Sequence, residues 1–217
     1  VIHSFLYEGK RCEKSKYPDE KAYRLQVAFC ADGTLLDQRR WSGRIRVKKE
    51  HKKQRLRHLL SEMPYRETID GEYSIFWFNP TVKSKSLYEC FSDEDFSILR
   101  EEVFLWDGDR ERHIFRTTSK DDADFIQFVL ASDGKVVSII RDSREGLPHG
   151  KYSFKSTLYT VSVKKSTKTQ MRANKGDPIS VDKNIKKHPS YCFEVASHNL
   201  LIRHNDRIFV TGNCGKD

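Results

Sequence analysis

No stretch of the 217 residues approaches the roughly eighteen apolar positions of a membrane-spanning helix, and the start, Val1-Ile2-His3-Ser4, has no secretory apolar core. Cysteine is scarce. Cys12, Cys30, Cys90, Cys192 and Cys214 are odd in number, scattered, and never in CxxC spacing. That pattern argues against a disulfide framework and a structural zinc site, and it predicts a reducing compartment, the cytoplasm of a cell. Acids are the minority charge, 31 Asp+Glu against 40 Lys+Arg, for a net +9. Apolar residues are not lacking: 37% hydrophobic and 12% aromatic content suffices for a packed core and excludes a disordered chain.

The positive charge is concentrated. Between Arg39 and Arg57 there are ten basic residues and one acid, Glu50. Between Lys151 and Lys187 ten more face only Asp177 and Asp182. The tracts carry +9 and +8, which leaves −8 on the remainder. Two cationic blocks on an otherwise acidic chain suit a polyanion, most simply nucleic acid, with a solvated helix face as the plain alternative. Arg44, Arg46, Lys48 and Lys49 are the candidate contacts in the first block.

Pro18-Asp19-Glu20 starts a helix that runs to Asp32-Gly33, with acids at the positive end of its dipole. Arg44-Ile45-Arg46-Val47 alternates as a strand with both arginines on one face. A basic helix with Leu56, Leu59, Leu60 and Met63 in a stripe follows, and then a strand at Tyr73–Phe78. The cycle repeats. Ser92-Asp93-Glu94-Asp95 resembles a capping box before a helix bearing Phe96, Leu99, Val103 and Trp106, which stops at Asp107-Gly108. A strand at 113–117, a helix capped at Ser119 with Phe125, Phe128 and Val129, and β-rich segments at 135–141 and 152–163 complete it. Helix–strand–helix–strand thus occurs twice, an internal duplication. Polar residues 164–187 read as a linker, and 191–210 as a small β-unit turning at His204-Asn205-Asp206.

An aspartate at a helix C-terminus opposes the dipole, whereas the glycine after it has an ordinary terminating role. The same misplaced acid at two equivalent ends, Asp32 and Asp107, suggests a cation between them; two coincidental Asp-Gly turns are the alternative. Paired carboxylates suit Mg²⁺ while leaving positions for water and phosphate oxygens. Leu25-Gln26-Val27-Ala28-Phe29-Cys30-Ala31-Asp32-Gly33 and Glu101-Glu102-Val103-Phe104-Leu105-Trp106-Asp107-Gly108 resemble the paired motifs of LAGLIDADG homing endonucleases. The resemblance covers about 18–165 and implies two αββαββ repeats at about 18–90 and 91–165. It further implies motif helices side by side, Asp32 and Asp107 as catalytic metal-binding acids with Mg²⁺, and sheets straddling double-stranded DNA. It also implies basic residues near the scissile phosphates, for which Lys120, Lys155 and Lys164 are candidates. Trp106 stands where the family often has alanine.

The tail ends Thr211-Gly212-Asn213-Cys214-Gly215-Lys216-Asp217. An Asn-Cys junction permits one distinctive reaction, in which the asparagine amide attacks its own carbonyl, forms a succinimide and releases the chain at the cysteine; an isolated Gly-Asn-Cys is more often an ordinary loop, the plain alternative here. Gly212 leaves the backbone free to bend, the Cys214 thiolate accepts an acyl group, and a histidine on a neighbouring strand stabilises the oxyanion. With its preceding strands, 175–214 resembles the C-terminal splicing blocks of an intein. The resemblance implies His198 as the block histidine, Asn213 as the cyclising residue and Cys214 as the first residue of the C-extein. Gly212 replaces the usual penultimate histidine.

The combined expectation is an α+β protein: a two-repeat LAGLIDADG αββαββ endonuclease followed by the C-terminal β part of a Hint splicing fold. Residues 1–17 would lie near a split or junction, 18–165 form the endonuclease, 166–213 the splicing segment, and 214–217 begin the host protein. Val1 and the lack of an upstream Thr-x-x-His block suggest a C-terminal fragment needing an N-terminal intein half. The expected partners are that half, a double-stranded DNA target and the C-extein host, with no membrane. A free-standing endonuclease and a catalytically dead DNA-binding module are the rivals.

Overall fold

The computed structural model describes residues 16–37, 40–91, 96–149, 152–164, 199–204 and 206–212. The first half runs α1 (Glu20–Asp32), β1 (Gly33–Leu35), β2 (Gly43–Val47), α2 (Glu50–Leu59), β3 (Arg66–Asp70) and β4 (Tyr73–Phe78). A short helix, α3 (Leu87–Cys90), leads to the second half: α4 (Phe96–Trp106), β5 (Gly108–Asp109), β6 (Ile114–Thr117), α5 (Lys120–Ala131) and β7 (Val137–Asp142). A small hairpin, β8 (Pro148–His149) and β9 (Tyr152–Ser153), intervenes before β10 (Leu158–Val163). Beyond it lie β11 (Asn199–His204) and β12 (Arg207–Gly212).

The protein is α+β with antiparallel sheets, and the two halves share one topology. The first sheet has the order β1-β2-β4-β3. Read from its β5 edge, the second runs β5-β6-β10-β7 and then adds β12-β11. Each half is therefore a helix, two strands, a helix and two strands, with its fourth strand between the second and third. The expected helix–strand–helix–strand order is corrected to two strands after each helix. β1 and β5 are too short to show alternation, and β3 is Arg-Glu-Thr-Ile-Asp, too polar to read as a strand. Pairing with aromatic β4 holds it: Arg66 lies opposite Trp77 and Thr68 opposite Ile75.

Local chemistry accounts for the helix ends. Asp19 caps α1 by accepting from the Ala22 N–H at 2.8 Å, and Ser119 caps α5 by accepting from the Asp122 N–H at 3.2 Å. The capping box expected at Ser92–Asp95 lies outside the described residues. Met63 lies past the end of α2 but still packs on the core. The glycine at the end of α1 needs a different account from the expected one. Gly33 is extended at φ −79° and ψ 162°, not left-handed, and leads straight into β1. A Cβ there would sit 2.3 Å from the Phe29 carbonyl oxygen; at Gly108 it would sit 2.6 Å from the Phe104 Cα. Both glycines exist because the chain folds back onto the turn four residues earlier.

One apolar core spans both halves, including Tyr23, Phe29, Ile45, Leu56, Phe76, Leu99, Ile126 and Val161. α1 and α4 pack side by side at its centre. Among the described residues no helix is long and apolar enough to cross a membrane.

The turn expected near His204–Asp206 joins β11 and β12, with Asp206 at φ +58°. This hairpin meets the second sheet at Arg207 opposite Ser138. Side chains fasten it to α5: the Gln127 amide donates to the Asp206 carbonyl at 2.7 Å, and Arg203 donates to Gln127 Oε1 at 3.2 Å.

Candidate active site

The last turns of α1 and α4 end on the two expected acids. Asp32 is the final residue of α1, and Asp107 directly follows α4. Their carboxylates lie close enough for the Asp32 charge to act on Asp107. Crowding by surrounding atoms, then repulsion from Asp32, pushes the Asp107 carboxyl above its ordinary range; Lys52 and Lys85 pull it back. Asp107 remains exposed to solvent, so water screens part of this effect. A small cavity of about 30 Å³ opens beside it, lined by Cys30, Lys85, Trp106, Asp107, Thr117 and Asp122 among others.

Lys52 was missed by sequence reasoning as a site residue. It projects from the first turn of α2, and its Nζ meets Asp32 Oδ2 at 2.5 Å and lies 5.4 Å from the Trp106 ring centroid. In the chain it is one more cation in a basic tract, and nothing in its spacing shows that α2 folds back to the end of α1.

A buried network holds the two helices in place. Glu102 of α4 is fully buried and accepts from Arg24 of α1 at 2.9 Å, from Arg55 Nε of α2 at 2.9 Å and from the Trp106 indole at 2.9 Å. Burial by itself would raise the Glu102 carboxyl, but the bonds from Arg55, Arg24 and Trp106 outweigh it and hold it below the ordinary range. Trp106, at a position the resemblance associates with alanine, is buried and satisfied here by Glu102. The tryptophan and the buried acid form a unit.

The two carboxylates supply hard oxygen donors suited to Mg²⁺, and their mutual repulsion is what a divalent cation would relieve. Among the described residues no group of three or more His, Cys, Asp or Glu gathers at a metal-binding spacing. A cation held here would have this pair as its protein donors, with water and ligand oxygens to complete its shell.

The first basic tract divides by structure. On β2, Ile45 and Val47 are buried while Arg44 and Arg46 face the other way. Arg46 lies 3.6 Å from the Tyr73 ring centroid and pairs with Asp70 at 2.9 Å; Arg44 lies 5.7 Å from the Trp77 ring. Lys48 pairs with Glu72 at 2.6 Å, and Lys49 stands exposed just before α2. The remaining Lys and Arg residues of α2 turn inward or to acids: Lys52 to Asp32, Lys53 to Glu50 at 3.7 Å, Arg55 to Glu102 and Arg57 to Glu67 at 2.7 Å.

Of the candidate cations in the second half, Lys120 is engaged by acids of the protein itself. Lys120 pairs with Asp124 and, at 2.9 Å, with Asp206; these carboxylates hold its ammonium above the ordinary range against the opposing effect of burial. It lies near the Tyr159 ring and helps fasten the hairpin. Lys155 and Lys164 are exposed, and the Lys164 N–H donates to the Val136 carbonyl at 2.8 Å. His198, Asn213 and Cys214 lie outside the described residues, as does most of the second basic tract. Two of the cysteines scattered along the sequence come together: the Cys30 and Cys90 sulfurs are 3.7 Å apart as free thiols.

No protein-family model and no curated protein matches this chain. Solved structures of the homing endonuclease I-DmoI show a distant likeness. Its mesophilic variants are 11% identical over 67% of this chain and 88% of theirs, at a TM-score of 0.45. A variant in complex with its target DNA in the presence of Mg is 14% identical over 67% and 89%, at 0.43. I-DmoI in complex with DNA and Mn is 12% identical over 67% and 89%, at 0.42. Such scores carry no functional argument.

Proposed function

We propose that the chain is a divalent-metal-dependent endonuclease for double-stranded DNA, of the LAGLIDADG kind that its two motifs resemble. One observation supports this reading: a duplicated helix–sheet unit ends its two packed helices on Asp32 and Asp107, near enough that the Asp32 charge helps raise the Asp107 carboxyl. Asp32 and Asp107 would hold Mg²⁺, which supplies charge neutralisation at a phosphodiester and a more acidic bound water. Lys52 holds the Asp32 carboxylate in place and adds a cation at the same end. Arg44 and Arg46, on the outward face of β2, would take phosphates of the duplex, with Lys48 and Lys49 at the strand's end. Asp32→Asn and Asp107→Asn should each abolish Mg²⁺-dependent cutting of target plasmid while sparing gel-shift binding. Full activity in either variant would overturn the assignment.

We further propose that the tail is the C-terminal part of a splicing element. The supporting feature is sequence chemistry: β12 ends at Gly212, and Asn213-Cys214 are the next residues of the chain. Asn213 would cyclise, Cys214 would accept the acyl group, and His198 would stabilise the oxyanion, with an N-terminal half completing the fold. Mixed with that half, the chain should yield a ligated product by mass spectrometry, and Asn213→Ala should stop C-terminal cleavage without affecting DNA cutting. Persistence of unspliced chains would leave the nuclease reading alone.

A further inference from the structure

We propose that Cys30 and Cys90 are a reversible thiol–disulfide modification site, responsive to hydroperoxide, that governs the Asp32 end of α1. Sixty positions apart in the chain, their sulfurs face each other at 3.7 Å. The pair is held, not merely adjacent. The Gln26 amide nitrogen lies 3.5 Å from the Cys90 sulfur and 4.0 Å from that of Cys30. The same amide donates to the carbonyls of Val82 at 3.0 Å and Ser84 at 3.1 Å, and its oxygen accepts from the Val82 N–H at 3.1 Å. Gln26 thereby ties α1 to the segment leading into α3 and keeps both thiols in register. Cys90 is 1% exposed, whereas Cys30 is half-buried and lines the cavity of about 30 Å³ beside Asp107. That room holds one or two waters, so the oxidant class that fits is hydrogen peroxide.

The chemistry closes without another reagent. One thiol, as thiolate, attacks the peroxide O–O bond and becomes a sulfenic acid, and the displaced oxygen leaves as water. The second thiol displaces the sulfenic hydroxyl, which leaves as a second water, and the S–S bond forms. Two thiols are oxidised by two electrons in total, and one peroxide is reduced to two waters.

A disulfide is about 2.05 Å long, so the sulfurs must close by about 1.7 Å from their present separation. Cys30 sits two residues before Asp32 in the last turn of α1, and Lys85, which acts on Asp107, lies five before Cys90. Closure draws the end of α1 toward α3 and moves both carboxylate surroundings. Displacements of about 1 Å in a reacting constellation cost up to about 100-fold in rate.

The control of cutting rests on the nuclease reading; the bridge does not. The test treats the full chain with hydrogen peroxide, removes the excess, alkylates free thiols and maps peptides without reduction. A linked Cys30–Cys90 peptide, lighter by two hydrogens and released by dithiothreitol, is expected. Mg²⁺-dependent cutting should fall about 10-fold or more and return on reduction, while Cys30→Ser cuts equally before and after peroxide. Alkylated Cys30 and Cys90, or links to other cysteines, would overturn the site. A bridged chain that cuts at the reduced rate would overturn the control. If the reduced chain does not cut at all, the nuclease reading fails separately, and melting decides. The bridge closes a sixty-residue span and must then raise the Tm, and an unchanged Tm with the bridge present would overturn its grip on α1.

Discussion

Glu102 shows why single positions around this site are sensitive. It accepts from two half-buried arginines and satisfies an indole, so removing its charge leaves Arg55 without this carboxylate and Arg24 with only Glu20 and Glu101. Glu102→Gln should cost about 3–5 kcal/mol, read as a lower urea midpoint at unchanged slope. Asp107 makes a prediction of the opposite sign from a salt-bridged acid. Its folded-state carboxyl is held above the ordinary value of 3.8, so the folded chain takes up a proton there before the unfolded chain does. Without metal, stability should therefore fall as pH rises through the window above that value, and Asp107→Asn should flatten the slope in urea melts over a pH series. Protons also compete with Mg²⁺ for the same oxygens, so metal affinity should weaken as pH falls through that window.

Among the elements, the helix-to-strand turns are the tightest. A methyl at Gly33 or Gly108 meets backbone atoms of Phe29 or Phe104. Backbone cannot swing aside as a flexible side chain does, so Gly33→Ala and Gly108→Ala should each lose about 1–3 kcal/mol, visible as a lower Tm. Both would also displace the aspartate one residue earlier, which couples the turn to the site. Element types were legible where periodicity was strong. α1, α4 and α5 announced themselves through apolar spacing and caps, β2 and β10 through alternation, and β4 through an aromatic run closed by Asn79-Pro80. β1, β3 and β5 were not legible: two have at most three residues, and β3 owes its place to cross-strand partners, not to its own pattern.

At the scale of the molecule, charge is divided between holding the fold and facing outward. Net charge alone suggested that the whole first tract is a nucleic-acid footprint, yet Lys52, Arg55 and Arg57 are engaged with acids of the protein itself. DNA affinity should fall with added salt, and Arg44→Ala and Arg46→Ala should each lower the logarithmic salt slope by about 1 in filter-binding titrations. Arg57→Ala should leave that slope unchanged.

The duplicated acids and the arginine face of β2 were readable from the chain alone, because both are local patterns of residue types at fixed spacing. That Lys52 reaches Asp32, that Glu102 gathers Arg24 and Arg55, and that Cys30 meets Cys90 came only with the tertiary structure. These contacts join residues 20 to 78 positions apart. They depend on the packing of α1 against α4 and on the return of α2 and α3 toward them. No periodicity within a single element encodes such distances.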